Sequence, residues 1–158
     1  IAPLMQRDER LRLLWVGDGW RREARLALAR KLGLADRIVV TGMLPSSEIP
    51  SLIQCCDLLV HPSYREGLPR VVVQAMLARV PVVATDADGT REVCVPEKTG
   101  RLVPIADIEA LRSALQHHLD HPHCSQQWAE QAEALVRTQF TEDAMVNALE
   151  TLYAKLLA

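Results

Sequence analysis

Residues 60–85 read VHPSYREGLPRVVVQAMLARVPVVAT, an acidic loop and one helical stretch set between two short apolar runs. Few folds accept such a segment. The flanking runs, 57–61 and 81–85, are short and bounded by turn residues, the pattern of strands buried on both faces, and two such strands joined through a helix pair in parallel. The joining helix is predicted to open at Pro69, whose missing N–H and fixed φ suit a first helical position. It continues as Val71-Val72-Val73-Gln74-Ala75-Met76-Leu77-Ala78, apolar nearly all round and therefore packed deep against a sheet, with Gln74 alone breaking the run. At its start the backbone N–H groups of Arg70 and Val71 have no helical acceptor. The helix dipole adds positive potential there, which makes an anion site that needs no side chain. Glu66 lies in the loop immediately before it.

The same alternation extends in both directions. A strand over 11–16 is closed by Gly17-Asp18-Gly19 and followed by a helix over 20–32 that Gly33 ends. A second strand, 38–41, stops at Gly42, and a helix is expected from an N-cap at Ser46 or Ser47 to about Cys56, with Pro50 in its first turn. After the loop Asp86-Ala87-Asp88-Gly89 come a brief helix over 90–94, a turn over 97–100 and a strand over 101–103. From Asp107, a plain N-cap, the pattern turns helical: 108–120, about 125–139, and a last helix capped by Thr141 and ending at Leu157. Alternating strands and helices predict an α/β fold, a doubly wound Rossmann-like parallel sheet with helices on both faces and a helical C-terminal extension. Ligands in such a fold bind outside the carboxyl ends of the strands, where the loops 17–19, 42–46, 62–68 and 86–90 fall.

Several functional classes are disfavoured by composition. At 158 residues with 49% hydrophobic content the chain can build one real core, and a net charge of −2 gives no basic field for nucleic acid. No apolar run approaches the roughly 20 residues that span a bilayer. The four cysteines, Cys55, Cys56, Cys94 and Cys124, lack CxxC spacing and read as free thiols of a reducing cytosol. The opening phrase Ile1-Ala2-Pro3-Leu4 is helix-like but uncapped, which reads as a piece cut from a longer protein.

With that strand edge assembled, the chain resembles the C-terminal, donor-binding domain of GT-B glycosyltransferases, specifically the retaining group known as family 4 or group 1. The landmarks run in family order over nearly the whole chain: Val16-Gly17-Asp18-Gly19, Thr41-Gly42, His61-Pro62-Ser63, Glu66-Gly67-Leu68-Pro69, Gln74-Ala75-Met76, Pro81-Val82-Val83-Ala84-Thr85 and Thr99-Gly100-Arg101-Leu102-Val103. An ordered set is far more specific than any one of them. The resemblance implies transfer of a sugar, with retention, from a nucleotide diphosphate sugar to an acceptor hydroxyl in bacterial polysaccharide or glycolipid synthesis. The site would be cytoplasmic, or peripheral at the inner face of the plasma membrane. It implies no cofactor, and with no D-x-D motif in a suitable loop, metal-independent transfer is expected.

By the resemblance, Glu66 binds hydroxyls of the donor sugar near the reacting carbon, in a loop shared with Gly67 and Leu68. Arg70 and Val71 meet the distal phosphate, Gly17 lies along the ligand edge, and Met43 and Leu44 wall the base. The family's second carboxylate, eight positions after the first, is here Gln74. An amide can still accept from one ribose hydroxyl and donate to another, without the stronger charge-assisted bond. The family's diphosphate-clamping Arg and Lys and its acceptor-binding domain lie upstream of Ile1, and membrane contact would come through that domain. The 158 residues by themselves are expected to bind nucleotide weakly and to catalyse nothing.

Plainer readings stand beside these. Glu66 can be a dipole partner of the following helix, Gln74 a core amide, and Gly17 and Gly19 a turn and no more. Arg91 and Glu92 read as a surface ion pair or cap. His117 and His121, four apart, have the spacing of a zinc pair but fall at a helix end, where polar residues are ordinary. The Leu, Ala and Met stripes of the last helices read as core or domain-interface surface. A GT-B sugar-nucleotide epimerase and a non-catalytic or degenerate nucleotide-binding module remain as alternative functions.

Overall fold

The structure, a computed structural model, describes residues 1–157. It divides into two compact units, Ile1–Ile49 and the chain from Pro50 onward.

In the first unit a short helix α1 (Ala2–Arg7) precedes strand β1 (Leu13–Val16), helix α2 (Arg22–Lys31), a single 3₁₀ turn (Ala35–Arg37) and strand β2 (Ile38–Gly42). The two strands pair in parallel, Leu13 opposite Ile38 through Trp15 opposite Val40, and the register then slips so that Val16 faces Gly42. Gly17 (φ 112°) and Gly42 (φ 71°) both leave their strands through positive φ, and the Gly17 N–H donates to the Gly42 carbonyl at 2.9 Å. Gly33 (φ 69°) ends α2 as expected: its N–H bonds the Arg30 carbonyl and the Leu34 N–H bonds that of Ala29. This is a Schellman closure, and Leu34 and Ala29 are buried with it. Arg37 caps α1 from the far end of the unit, its Nη1 donating to the carbonyls of Met5 (2.6 Å) and Asp8 (3.1 Å).

The second unit holds α3 (Ile49–Gln54), β3 (Leu59–His61), α4 (Arg70–Leu77), β4 (Val82–Thr85), α5 (Thr90–Val93), β5 (Arg101–Val103), α6 (Ile108–Asp120), α7 (Pro122–Gln139) and α8 (Glu142–Leu157). Its strands pair in parallel in the order β3-β4-β5, with His61 opposite Ala84 and Thr85 opposite Val103. All four residues of β4 are buried. Since alternate residues of a strand point to opposite faces, both faces of β4 are covered, as its apolar run requires. Helix α4 packs on β3 and β4, and α6 on β4 and β5. Val72, Ala75 and Met76 carry the buried stripe of α4, each side chain of valine or methionine size contributing about 1.5–3 kcal/mol by leaving water. Helix α7 packs against α4, and its buried residues Ser125, Ala129, Ala132 and Val136 form a stripe of small side chains at i, i+4, i+7 and i+11. Gly100 is required by packing, because a Cβ there would press on the Val82 carbonyl and on Cys94 Sγ. All four cysteines are free, and burial pushes the Cys94 thiol up to about 12.

Three sequence expectations need correction. Pro69 is the N-cap of α4 and not its first residue: its ψ of 98° is extended, so the helix starts at Arg70. Helix α3 begins at Ile49, after a turn over 46–48, and stops at Gln54. Helix α7 begins at Pro122, three residues before the expected start, with the proline in the first turn where it suits the helix best. The stripes of the last helices differ: that of α7 is core, whereas no residue of α8 is buried, and Met145, Leu149, Leu152, Tyr153 and Leu156 are exposed along it. The caps at Asp107, whose side chain accepts from the Ala110 N–H, and at Thr141, which accepts from that of Ala144, are as expected.

Candidate functional site

The carboxyl ends of β3 and β4 feed two loops, 62–69 and 86–89, and these bind each other. The Glu66 N–H donates to Asp88 Oδ2 at 3.2 Å, and the Gly89 N–H donates to the Glu66 carbonyl at 3.3 Å. Asp88 holds a left-handed conformation (φ 42°), which aspartate tolerates better than most residues. Thr85, at the end of β4, donates its hydroxyl to the Ser63 carbonyl, and Ser63 Oγ donates to that of Arg65 at 3.1 Å. The 62–69 loop is thus fixed along its length by partners from its own residues and from the neighbouring strand end.

Within that loop the Glu66 carboxylate is not a free surface acid. Its Oε1 lies 2.8 Å from His61 Nε2, and the two side chains are 25% and 19% exposed, partly withdrawn from water yet open to a ligand. Gly67 and Leu68 follow it on the surface, and buried Pro69 turns the chain into α4. The N–H groups of Val72 and Val73 bond the Pro69 carbonyl at 3.0 and 3.3 Å. Those of Arg70 and Val71 meet no acceptor among the described residues, so the anion-binding end of α4 is open. Gln74 sits half-buried one turn further on, and its amide has no hydrogen-bond partner in the chain among the described residues. That removes the reading of Gln74 as a core amide satisfied by backbone groups. Gly17, Met43 and Leu44 belong to the first unit, at the carboxyl ends of β1 and β2; Met43 is 78% exposed and Leu44 half-buried.

Sequence reasoning missed two members of this cluster, His61 as the carboxylate's partner and Asp88 as the anchor of its backbone. Asp88 carried a faint signal, an acid directly before a glycine in the loop after the next strand. The two acids of Asp86-Ala87-Asp88 are both engaged, Asp86 with Arg91 (Nε to Oδ1, 2.9 Å) and Asp88 with the Glu66 N–H. Arg91 therefore pairs across its loop and not with Glu92. The histidine run packs as rings: His117 stacks on His121 (centroids 4.5 Å) and on Trp128 (5.6 Å), and His121 closes one helix and opens the next. Among the described residues no group of three or more His, Cys, Asp or Glu is placed to hold a metal ion. No helix of the described residues is long and apolar enough to cross a membrane.

The strands run parallel between helices, and an acidic loop is fixed before an open helix end. The family model "Glycosyl transferases group 1" matches residues 1–135, and the chain belongs to that family. It is 30% identical over 155 residues to the alpha-D-kanosaminyltransferase of Streptomyces kanamyceticus, covering 98% of this chain and 40% of that protein. Its fold is that of solved GT-B transferases. One is the HepE protein of Anabaena in complex with UDP-glucose (TM-score 0.83, 27% identity, 96% of this chain and 43% of that one). The isolated C-terminal domain of the group 1 protein LpcC from Francisella tularensis shares the fold (TM-score 0.81, 22% identity, 89% of this chain and 75% of that one). The chain therefore spans less than half the length of the kanosaminyltransferase and of HepE.

Proposed function

We propose that this chain is the donor-binding part of a retaining glycosyltransferase that uses a nucleotide diphosphate sugar, with Glu66 as the group that touches the sugar. The observation that carries this reading is the pairing of a held carboxylate with an open helix end. Glu66 is fixed through backbone and side chain, and the free N–H groups of Arg70 and Val71 follow within five residues. The family membership and the UDP-glucose bound by HepE support the ligand class.

Each part has a defined task in such a transfer. The start of α4 donates to the distal phosphate and favours the charge that grows on it as the sugar leaves; donors so placed contribute roughly 3–4 kcal/mol each to a transition state. Glu66 accepts from sugar hydroxyls and opposes the positive charge of an oxocarbenium-like sugar. Gln74 reaches the ribose, accepting from one hydroxyl and donating to another. Leu68 supplies a wall beside Glu66, and in the first unit Gly17, Met43 and Leu44 offer backbone and apolar surface at their own strand ends. The proposed reaction needs no cofactor and no metal; Asp86 is paired with Arg91 and Asp88 accepts from the Glu66 N–H. The acceptor side, the diphosphate-clamping cations and any contact with lipid belong to a longer protein, which would extend polysaccharides or glycolipids at the cytoplasmic side of a bacterial membrane.

Calorimetric titration of the chain with UDP, GDP and ADP, and with their sugar conjugates, tests the reading. One nucleotide should bind, its sugar conjugate more tightly, and Glu66→Gln should erase the difference between them. No binding of any at millimolar concentration sinks the donor-site assignment, and sugar transfer by the 158 residues alone sinks the division of labour.

A further inference from the structure

We propose that His61 is a positioning residue for Glu66: its Nε2–H holds Oε1 of the carboxylate, so that Oε2 is presented to the sugar in a single orientation. This rests on the reading of Glu66 as the sugar-binding carboxylate.

The contacts between the loops order the Glu66 backbone and leave its side chain to be ordered. Its N–H is committed to Asp88 and its carbonyl to Gly89, so the backbone is pinned on both sides from the neighbouring loop. Nothing in those contacts touches the side chain, which has three rotatable bonds and a quarter of its surface in water. Among the described residues His61 is the one partner of the carboxylate, at 2.8 Å. His61 is itself the last residue of β3, with its backbone set opposite Ala84 of a fully buried strand. A strand end is a rigid platform, and a ligand-binding group held from such a platform is more precisely aimed than one held by a loop alone.

Chemistry assigns the roles within the pair. An ionised carboxylate only accepts, so the imidazole is the donor and Nε2 carries the hydrogen. That bond uses one acceptor position of Oε1 and none of Oε2. The free oxygen can accept from a sugar hydroxyl without first losing rotamer freedom, since the freedom has been removed before the ligand arrives. With His61 truncated, the carboxylate samples several orientations, and the cost of selecting one falls on the sugar and not on the nucleotide. The consequence is a loss confined to one part of the donor.

Two measurements on the chain test this. In calorimetry with UDP, UDP-glucose, GDP and GDP-mannose, His61→Ala should weaken binding of the conjugate that the wild type prefers by about tenfold, equivalent to about 1.4 kcal/mol. The parent diphosphate should be unaffected, and His61→Gln, which restores an N–H near the Nε2 position, should recover most of the loss. A merely structural histidine would weaken diphosphate and conjugate alike and would not be rescued. Long-range ¹H–¹⁵N spectra of the histidine rings provide a readout without ligand: His61 should carry its proton on Nε2 at neutral pH, with a resonance that shifts in Glu66→Ala. Wild-type discrimination retained by His61→Ala, or a proton found on Nδ1 alone, overturns the role of His61 while leaving the donor site standing. A wild-type chain that binds no nucleotide sugar overturns the donor site, and the role of His61 falls with it.

Discussion

Gly89 stands directly against the carbonyl oxygen of Gly67: a Cβ on Gly89 would overlap that oxygen. Gly89 has an ordinary φ of −71°, so glycine is needed there for space and not for torsion. The contact joins the loop that carries Glu66 to the loop that carries Asp88, and it is backbone against backbone, with no flexible side chain to yield. Gly89→Ala should force the two loops apart, break the Glu66 N–H bond to Asp88 and cost about 1–3 kcal/mol in stability, the usual penalty for overpacking. Thermal unfolding reads the stability, and calorimetry with a nucleotide sugar reads the site. A variant with unchanged melting and unchanged affinity would show that the loops yield freely, contrary to the geometry.

Gln74 stands eight residues after Glu66, half-buried and without a hydrogen-bond partner in the chain among the described residues. If it meets a ribose hydroxyl, a carboxylate at the same place should bind more strongly, because hydrogen bonds to charged groups contribute about 1 kcal/mol more than neutral ones. Gln74→Glu should therefore tighten nucleoside diphosphate binding by about fivefold, and Gln74→Ala should weaken it, with no change in the preference for the sugar conjugate over the diphosphate. Equal dissociation constants for all three side chains would remove Gln74 from the site.

What could be read from the sequence was what is settled within a turn or two of the chain. Asp107 announces α6 because its side chain reaches a backbone N–H three residues on, and Gly33 announces the end of α2 because its positive φ is a local demand. The apolar run at 82–85 marks a strand covered on both faces wherever it occurs. Pro69 was misplaced by one residue because a φ near −70° suits both the cap and the first helical position; only ψ separates them, and the surrounding loop sets it. Pro122 did signal the start of α7, but the polar histidine run around it resembled a loop. At the site, the motif singles out Glu66, whereas nothing local points to its partners. The bonds to Asp88 and Gly89 cross more than twenty residues, and the bond to His61 depends on how the four residues 62–65 double back. Such contacts are decided by the approach of two strand ends, which no local pattern encodes.

His118 gives the fold a dependence on pH. It sits half-buried on α6, with Nδ1 out of solvent and without a partner among the described residues. Burial lowers its pKa below the ordinary 6.5, and His117 pushes in the same direction while Asp57 opposes. It lines a recess of about 250 Å³ with Cys56, Asp57, Arg79 and Gln126, so Arg79 is a further charge close by. His117 is lowered too, by burial first and then by Arg101 and His121. The sign follows from proton counting. As pH falls through 6.5 the unfolded chain takes up a proton on each of these rings before the folded chain does, so stability is full above that value and declines below it until the folded rings also titrate. Thermal unfolding between about pH 7.5 and 5.5, a range where histidine is the side chain that ordinarily titrates, should give a melting temperature that drops with acidity. The drop should be smaller in His118→Gln and smaller still when His117→Gln is added, whatever the absolute stability of either variant. Equal slopes in all three proteins would mean that the buried ring does not resist protonation and that the decline has another source.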